Sequence, residues 1–436
     1  MQLIVFVLLL ISYTNKCLCF KVQFLSCDEK GFHCNNSATY EGKKDVTYQC
    51  PSDDLKDITI DFWIWDLPQE ADIGKLTIKH CHTLRLRFGC TEHYRNITSL
   101  YVHHVADLRI FEDDTICNPS GVIFEQVHLL RNVPKHSFSQ ARSKCNAEHC
   151  GLKQLVFENV KIGVIETGGI ELIDNIELFR ITNTVINTIE VGGIKIVVHK
   201  DASIYIINSI INNVEAVAVQ VVAPTFTISE TNIGEISFAG ISATVNAFEF
   251  SSNFVANTSS GALAVSAGQV DIFKNSFYSI NSGAFSKIGP RQKRFSYNFL
   301  ENYIKYVDIG GLHPQVESFQ EFRLNITYAS NSFYCTCEEL AWLGSGISFG
   351  RGYNPVKDFY KGIMDKVNNN TCTFDLSCTL PLRAVEKIAP DGVCQIITVD
   401  DQSTFCENYQ DNSSKYSRPN SHFLILLYLL LLSLFI

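Results

Sequence analysis

Between residues 151 and 334 the apolar positions follow a rule too long for one helix or strand. An apolar residue at position n is accompanied by others at n−7, n−5, n+3 and n+8. The centres are Ile162, Ile186, Ile211, Ile233, Val255, Phe277 and Ile304, at steps of 24, 25, 22, 22, 22 and 27 residues. Only Thr258, at n+3 of Val255, departs from it. A fixed period of this size is the mark of a repeat array, in which each unit buries its apolar face only against its neighbours. The pair n−7 and n−5 predicts a short strand with two inward residues, and n+3 and n+8 return the chain to the same core. Position n−2 reads Val160, Thr184, Ser209, Thr231, Asn253, Asn275, Asn302; in the later copies the Asn side chain is suited to bonding backbone groups as the chain leaves the strand.

Upstream the pattern loosens. Leu76-x-Ile78-x-x-Cys81, Leu100-x-Val102-x-x-Val105 and Val122-x-Phe124-x-x-Val127 keep the strand. Leu108 and Leu130 sit one residue late, with expected inward partners Phe111 and Ile116, and Val133 and Phe138. The 33-residue step from Val122 to Leu155 holds Cys145 and Cys150, read as staples of an inserted loop. Downstream, Ile326-x-Tyr328-x-x-Asn331-x-Phe333 forms a final strand, followed by Cys335-Thr-Cys337 and Leu340-Ala-Trp342-Leu343.

The later copies, apolar-x-apolar-x-x-Asn-x-apolar, resemble the leucine-rich repeat, and Asn275–Ile288 resembles its extracellular form. Cys335-x-Cys337 with Trp342 looks like the cysteine-rich C-terminal flank of extracellular leucine-rich repeat proteins, with Ser332 where that flank has Pro and one extra residue before the Leu. The resemblance implies a horseshoe with a parallel sheet on its concave face and disulfide-rich caps. It also implies that Cys335 and Cys337 pair with cysteines among Cys372, Cys378, Cys394 and Cys406, in a connectivity the sequence leaves open. One feature favours a different solenoid. Residues 151–334 hold eight Leu against 43 Ile plus Val, a composition suited to a right-handed parallel β-helix, which stands as the alternative.

Composition changes the picture at three points. Of 436 residues 46% are hydrophobic and 19% charged, which excludes a largely disordered chain. A net charge of −9 argues against a nucleic-acid partner. Sixteen Cys point to an oxidising compartment, as does the short apolar run 3–11, read as a secretory signal cleaved after Cys19. Cleavage there leaves an even fourteen Cys. At the other end, the 14-residue apolar tail 423–436 follows a polar spacer and the small residues around Asn412. That order matches a GPI-attachment signal with Asn412 as the acceptor; a tail-end transmembrane helix is the alternative. Asn35, Asn96, Asn257, Asn325 and Asn369 each head an N-glycosylation triplet.

Candidate chemistry is sparse. Gly346-Ile-Ser348-Phe-Gly350 matches a hydrolase nucleophile pattern but lacks the preceding strand that chemistry needs. His80-Cys81-His82 imitates a metal cluster, yet strand alternation separates Cys81 from the histidines and makes it a disulfide cysteine. By the same alternation His103 and His104 fall on opposite faces. Only Glu249 and Asp271 form an adjacent acidic pair on the outward strand face. Tyr205, Ile207, Phe273 and Leu300 are apolar or aromatic on that same face, which points to partner contacts.

The sequence therefore reads as a signal peptide (1–19), an N-terminal cap (20–54), a repeat solenoid (55–334), a cysteine-rich flank (335–411) and a GPI signal (412–436). The expected function is extracellular protein recognition or adhesion at the outer face of the cell membrane, through a protein ligand or homophilic contact and with a co-receptor for any signalling. No catalytic residue, metal or cofactor is expected. The rival is a β-helix enzyme acting on polysaccharide.

Overall fold

The computed structural model describes residues 20–22, 31–51, 57–61, 73–87, 97–111, 119–139, 152–198, 201–308, 310–314, 323–335, 363, 366–374 and 378–382. They form a parallel β-solenoid with almost no helix. In its regular part each coil contributes three short strands. Leu178–Thr182, Val185–Ile189 and Ile194–Val197 make one coil, and each pairs in parallel with its counterpart a coil away: Ser203–Ile207, Ile210–Val214 and the start of Val219–Ser229. Three ladders thus run along the axis, called here the first, second and third faces.

The periodic residues line the interior. In the coil centred on Ile186, Phe179, Ile181, Ile189 and Ile194 are all buried, and the equivalent positions are filled the same way through Phe285 and Phe299. Phe250, Phe277 and Phe299 stack on one another at 6.2–6.3 Å. The exception in the pattern is absorbed locally: Thr258 is fully buried and its hydroxyl donates to the Ser279 carbonyl at 3.0 Å.

The corners are set by single left-handed residues. Between the first and second faces, position n−3 has positive φ in coil after coil, as at Asn159, Asn183, Asn208, Glu230, Ser252, Lys274 and Glu301. The next residue, n−2, then turns inward and builds a buried polar ladder. Asn253, Asn275, Asn302 and Asn331 each donate from Nδ2 to a carbonyl of the preceding coil, and each accepts at Oδ1 the backbone N–H of the residue one coil earlier. Corner backbone groups that strand pairing cannot satisfy are thereby bonded inside the core.

A second left-handed corner at n+6 is occupied by Gly168, Gly192, Gly261, Gly283 and Gly310, but by Val217 (φ 56°) and Ala239 in two coils. A β-branched residue is strained in that conformation. Val217→Gly is expected to stabilise the fold by about 1 kcal/mol, the strain relieved minus the entropy glycine adds to the unfolded chain. A rise in the thermal unfolding midpoint checks this, and an unchanged or lower midpoint counts against it.

Several expectations need amendment. Phe111 does not point inward: it is 37% exposed, and Ile110 is buried instead. Ile97–Ile110 runs on as one strand with Leu84-x-Leu86 beside Leu108-x-Ile110, so alternation puts Ile110 inside. Val156, which strand alternation turns outward in register with Arg180, is buried nonetheless. His103 and His104 do not diverge: their ring centroids lie 3.8 Å apart, because His104 (φ 52°) is itself the corner residue and breaks the two-residue alternation.

At the N-terminal end, Phe32–Asn36 and Lys44–Gln49 form an antiparallel hairpin whose second strand starts the first face against Ile73–Arg87. Cys81 is inward and bonded to Cys50, and Cys34 is also disulfide-bonded. At the other end Ser332–Tyr334 pairs with Thr371–Phe374, and Cys335 is bonded to Cys372 in the core. Asn370 continues the asparagine ladder there, donating to the Tyr328 carbonyl and accepting from Asn331. The side chains of Cys337, Cys378, Cys394 and Cys406, and also Asn96, Asn412, Cys145, Cys150, Trp342 and Ser348, lie outside the described residues.

Candidate functional site

The first face is a parallel sheet whose outward residues form two columns. One column runs Arg180, Tyr205, Thr227, Glu249, Asp271, Asn298; the other runs Thr182, Ile207, Ser229, Ser251, Phe273, Leu300. Tyr205, Ile207, Phe273 and Leu300 all point outward and are half-buried, whereas their strand neighbours Ile204, Ile206 and Ile272 are buried in the core. Tyr205 and Ile207 share one strand. Phe273 and Leu300 are direct register partners in adjacent coils. The two apolar pairs are not contiguous: Phe273 lies three coils from Ile207, roughly 14 Å at the spacing of sheet neighbours. Thr227, Ser229, Glu249 and Ser251 fill the interval.

The two carboxylates of this face, Glu249 in the interval and Asp271 on the strand of Phe273, are aligned in register. Glu249 accepts a hydrogen bond from the Ser251 hydroxyl at 2.7 Å. Asp271 accepts from Gln269 and Asn298, each at 2.7 Å. Neutral donors thus engage both. Arg180 pairs with Glu158 at 3.0 Å on the same face. The surface offers hydrogen-bonding groups flanked by apolar side chains on a rigid support.

Other acidic residues are structural. Glu166, Glu190, Glu215 and Asp308 occupy n+4, and each accepts the backbone N–H of a turn residue one coil earlier: Lys135, Thr167, Val191 and Ser282. Sequence reasoning did not single out this column, although acids at a fixed register were visible. On the third face, Glu171 is held below the usual carboxylate range chiefly by the hydrogen bond from Lys195. For Asp107, burial pushes the carboxyl up, but Arg131 and Arg109 outweigh it and the net shift is downward.

The sequons differ in setting. Asn35, Asn325 and Asn369 are exposed, and Asn257 is half-buried on the second face. Among the described residues no group of three or more His, Cys, Asp or Glu is arranged to hold a metal ion, and no helix is long and apolar enough to cross a membrane. No protein-family model, no curated protein and no solved structure matches the chain.

Proposed function

We propose that this chain is an extracellular recognition protein that uses the outward first face of its solenoid to bind a protein ligand or a second copy of itself. The observation that carries this reading is the register. It keeps Tyr205, Ile207, Phe273 and Leu300 outside the core on one parallel sheet, and half-exposed apolar and aromatic side chains on such a support suit a partner's surface. The disulfides Cys50–Cys81 and Cys335–Cys372 support an oxidising compartment.

Three strands per coil, each on its own parallel ladder, favour a three-faced β-helix over a horseshoe built on one strand per repeat. The Ile and Val excess fits that choice, since residues branched at Cβ pack well on pleated surfaces. The β-helix gives the polysaccharide-active rival one specific support, the in-register pair Glu249 and Asp271. Recognition remains the stronger reading, because both carboxylates are engaged by neutral neighbours within the sheet.

The recognition reading is tested with a soluble ectodomain: Phe273→Asp should abolish binding to cells that bind the parent. Hydrolysis of a polysaccharide, lost on Glu249→Gln, would transfer the function to the rival. Attachment to the membrane by a lipid at Asn412 is part of the same proposal. Phosphatidylinositol-specific phospholipase C should release the protein from the cell surface. Retention with the C-terminal apolar tail still present on the mature chain would contradict it.

A further inference from the structure

The three long strands Ile73–Arg87, Ile97–Ile110 and Gly121–Val133 carry a charge opposite to that of the chain as a whole. They hold Lys75, Lys79, Arg85, Arg87, Arg109 and Arg131 against Asp107 and Glu125, a balance of six minus two, or +4, within a protein of net −9. They also hold five of its twelve histidines: His80, His82, His103, His104 and His128. The acids are unevenly placed. Asp107 is taken up by Arg109 and Arg131 on the second face, where Asp57 pairs with Arg85.

The four arginines lie past the corner on the second face, while Lys75, Lys79 and three histidines share the first face and its corner. Lys79 is in register with His103, and Lys75 lies over the Tyr101 ring at 4.2 Å. His80 and His104 are both exposed corner residues, with ring centroids 5.1 Å apart, and His104 Nδ1 is 2.7 Å from His103 Nε2. The carboxylates facing this group are Asp45, in register with Lys75, and Glu125, 3.5 Å from His103; Glu158, beyond Glu125, is paired with Arg180.

We propose that Lys75, Lys79, His80, His103 and His104 form a binding site for a linear sulfated polysaccharide whose affinity rises as the pH falls. The geometry suits a chain with repeated anionic groups. Lys75 and Lys79 stand four residues apart on one strand, about 13 Å, and His103 lies beside Lys79 one coil on, about 4.8 Å away, on a support that loses little freedom on binding. The described large exposed apolar residue nearest the patch is Phe111, under the Arg87 guanidinium. It offers little to enter a bilayer, which favours a polymer over a lipid surface.

The sign of the pH effect separates sulfate from weaker acids. Histidines gain charge as pH falls while sulfate keeps its own; a carboxylated polymer begins to lose charge. His103 is held below the usual histidine range, first by burial and then by His104, His80, Lys79 and Lys75. It therefore takes its proton late, and an anion laid on the patch brings that proton on earlier. The presence of such a polymer around the protein rests on the extracellular reading, but the binding itself does not.

The test is equilibrium binding of heparin to the purified secreted chain, with hyaluronan and phosphatidylserine vesicles as the other arms. Heparin should bind about tenfold more tightly at about pH 5.5 than at about pH 7.5. Lys75→Gln with Lys79→Gln should weaken it about tenfold at both pH values and flatten its salt dependence. His80→Gln with His104→Gln, at two exposed positions, should keep the neutral-pH affinity and remove the acid gain. Lys274→Gln with Lys305→Gln, outside the patch, should change nothing. The proposal is overturned if heparin does not bind, if the lysine pair is silent, if the distant pair weakens binding equally, if acid gives no gain, if hyaluronan competes as well as heparin, or if the vesicles bind more tightly than heparin.

Discussion

Asn302→Ala should destabilise the solenoid by about 3–5 kcal/mol and sharply reduce secretion, although the side chain is small and touches no solvent. Asn302 is 1% exposed. Its Oδ1 accepts from the Asn275 backbone N–H and side-chain amide. Its Nδ2 donates to the Ile272 carbonyl and to Asn331 Oδ1. Alanine removes both donor and acceptor and leaves groups on the neighbouring coils buried without partners. Each such group costs about 1–3 kcal/mol, and the ladder transmits the loss because its members polarise one another. Asn298→Ala is the matched control, four residues earlier on the outward face, where Asn298 donates to Asp271 at 2.7 Å. It should cost about 0.5 kcal/mol or less, as surface changes usually do. Denaturant midpoints of the two variants decide the matter. Equal midpoints would mean that the buried ladder contributes nothing.

The sequence disclosed the repeat because burial imposes it. Each coil must present the same inward atoms to its neighbours, so the apolar positions and the asparagines at n−2 recur in register and can be counted. The number of strands per coil was less visible. The second strand has inward residues at n and n+3, because chain geometry near the corner breaks strict alternation, and that spacing imitates a helical return. The left-handed corner at n−3 was hidden for another reason. Asn159, Asn183, Glu230, Ser252 and Lys274 share a backbone conformation and exposure but little chemistry, since only φ is selected there. The pairing of His103 with His104 followed the same corner and was lost with it. The apolar residues Tyr205, Ile207, Phe273 and Leu300 could be placed on the outward face from spacing alone. Their separation into two pairs depended on counting the intervening coils.

The second large effect comes from a pair of adjacent residues. Ile272 is fully buried, and Phe273, the next residue on the same strand, points outward beside Leu300. Ile272→Asp places an unpaired carboxylate in the core and should cost about 4 kcal/mol or more, enough to abolish secretion. Phe273→Asp exposes a charge to water on a half-buried site and should cost about 1 kcal/mol or less in stability. It should nonetheless remove binding to the partner surface, because an aromatic anchor is replaced by a solvated charge. Secretion and cell binding of these two variants, measured side by side with the parent, test the register and the recognition face together. The account requires Ile272→Asp to be retained in the cell and Phe273→Asp to be secreted but unable to bind. Normal secretion of Ile272→Asp, or undiminished binding by Phe273→Asp, would contradict it.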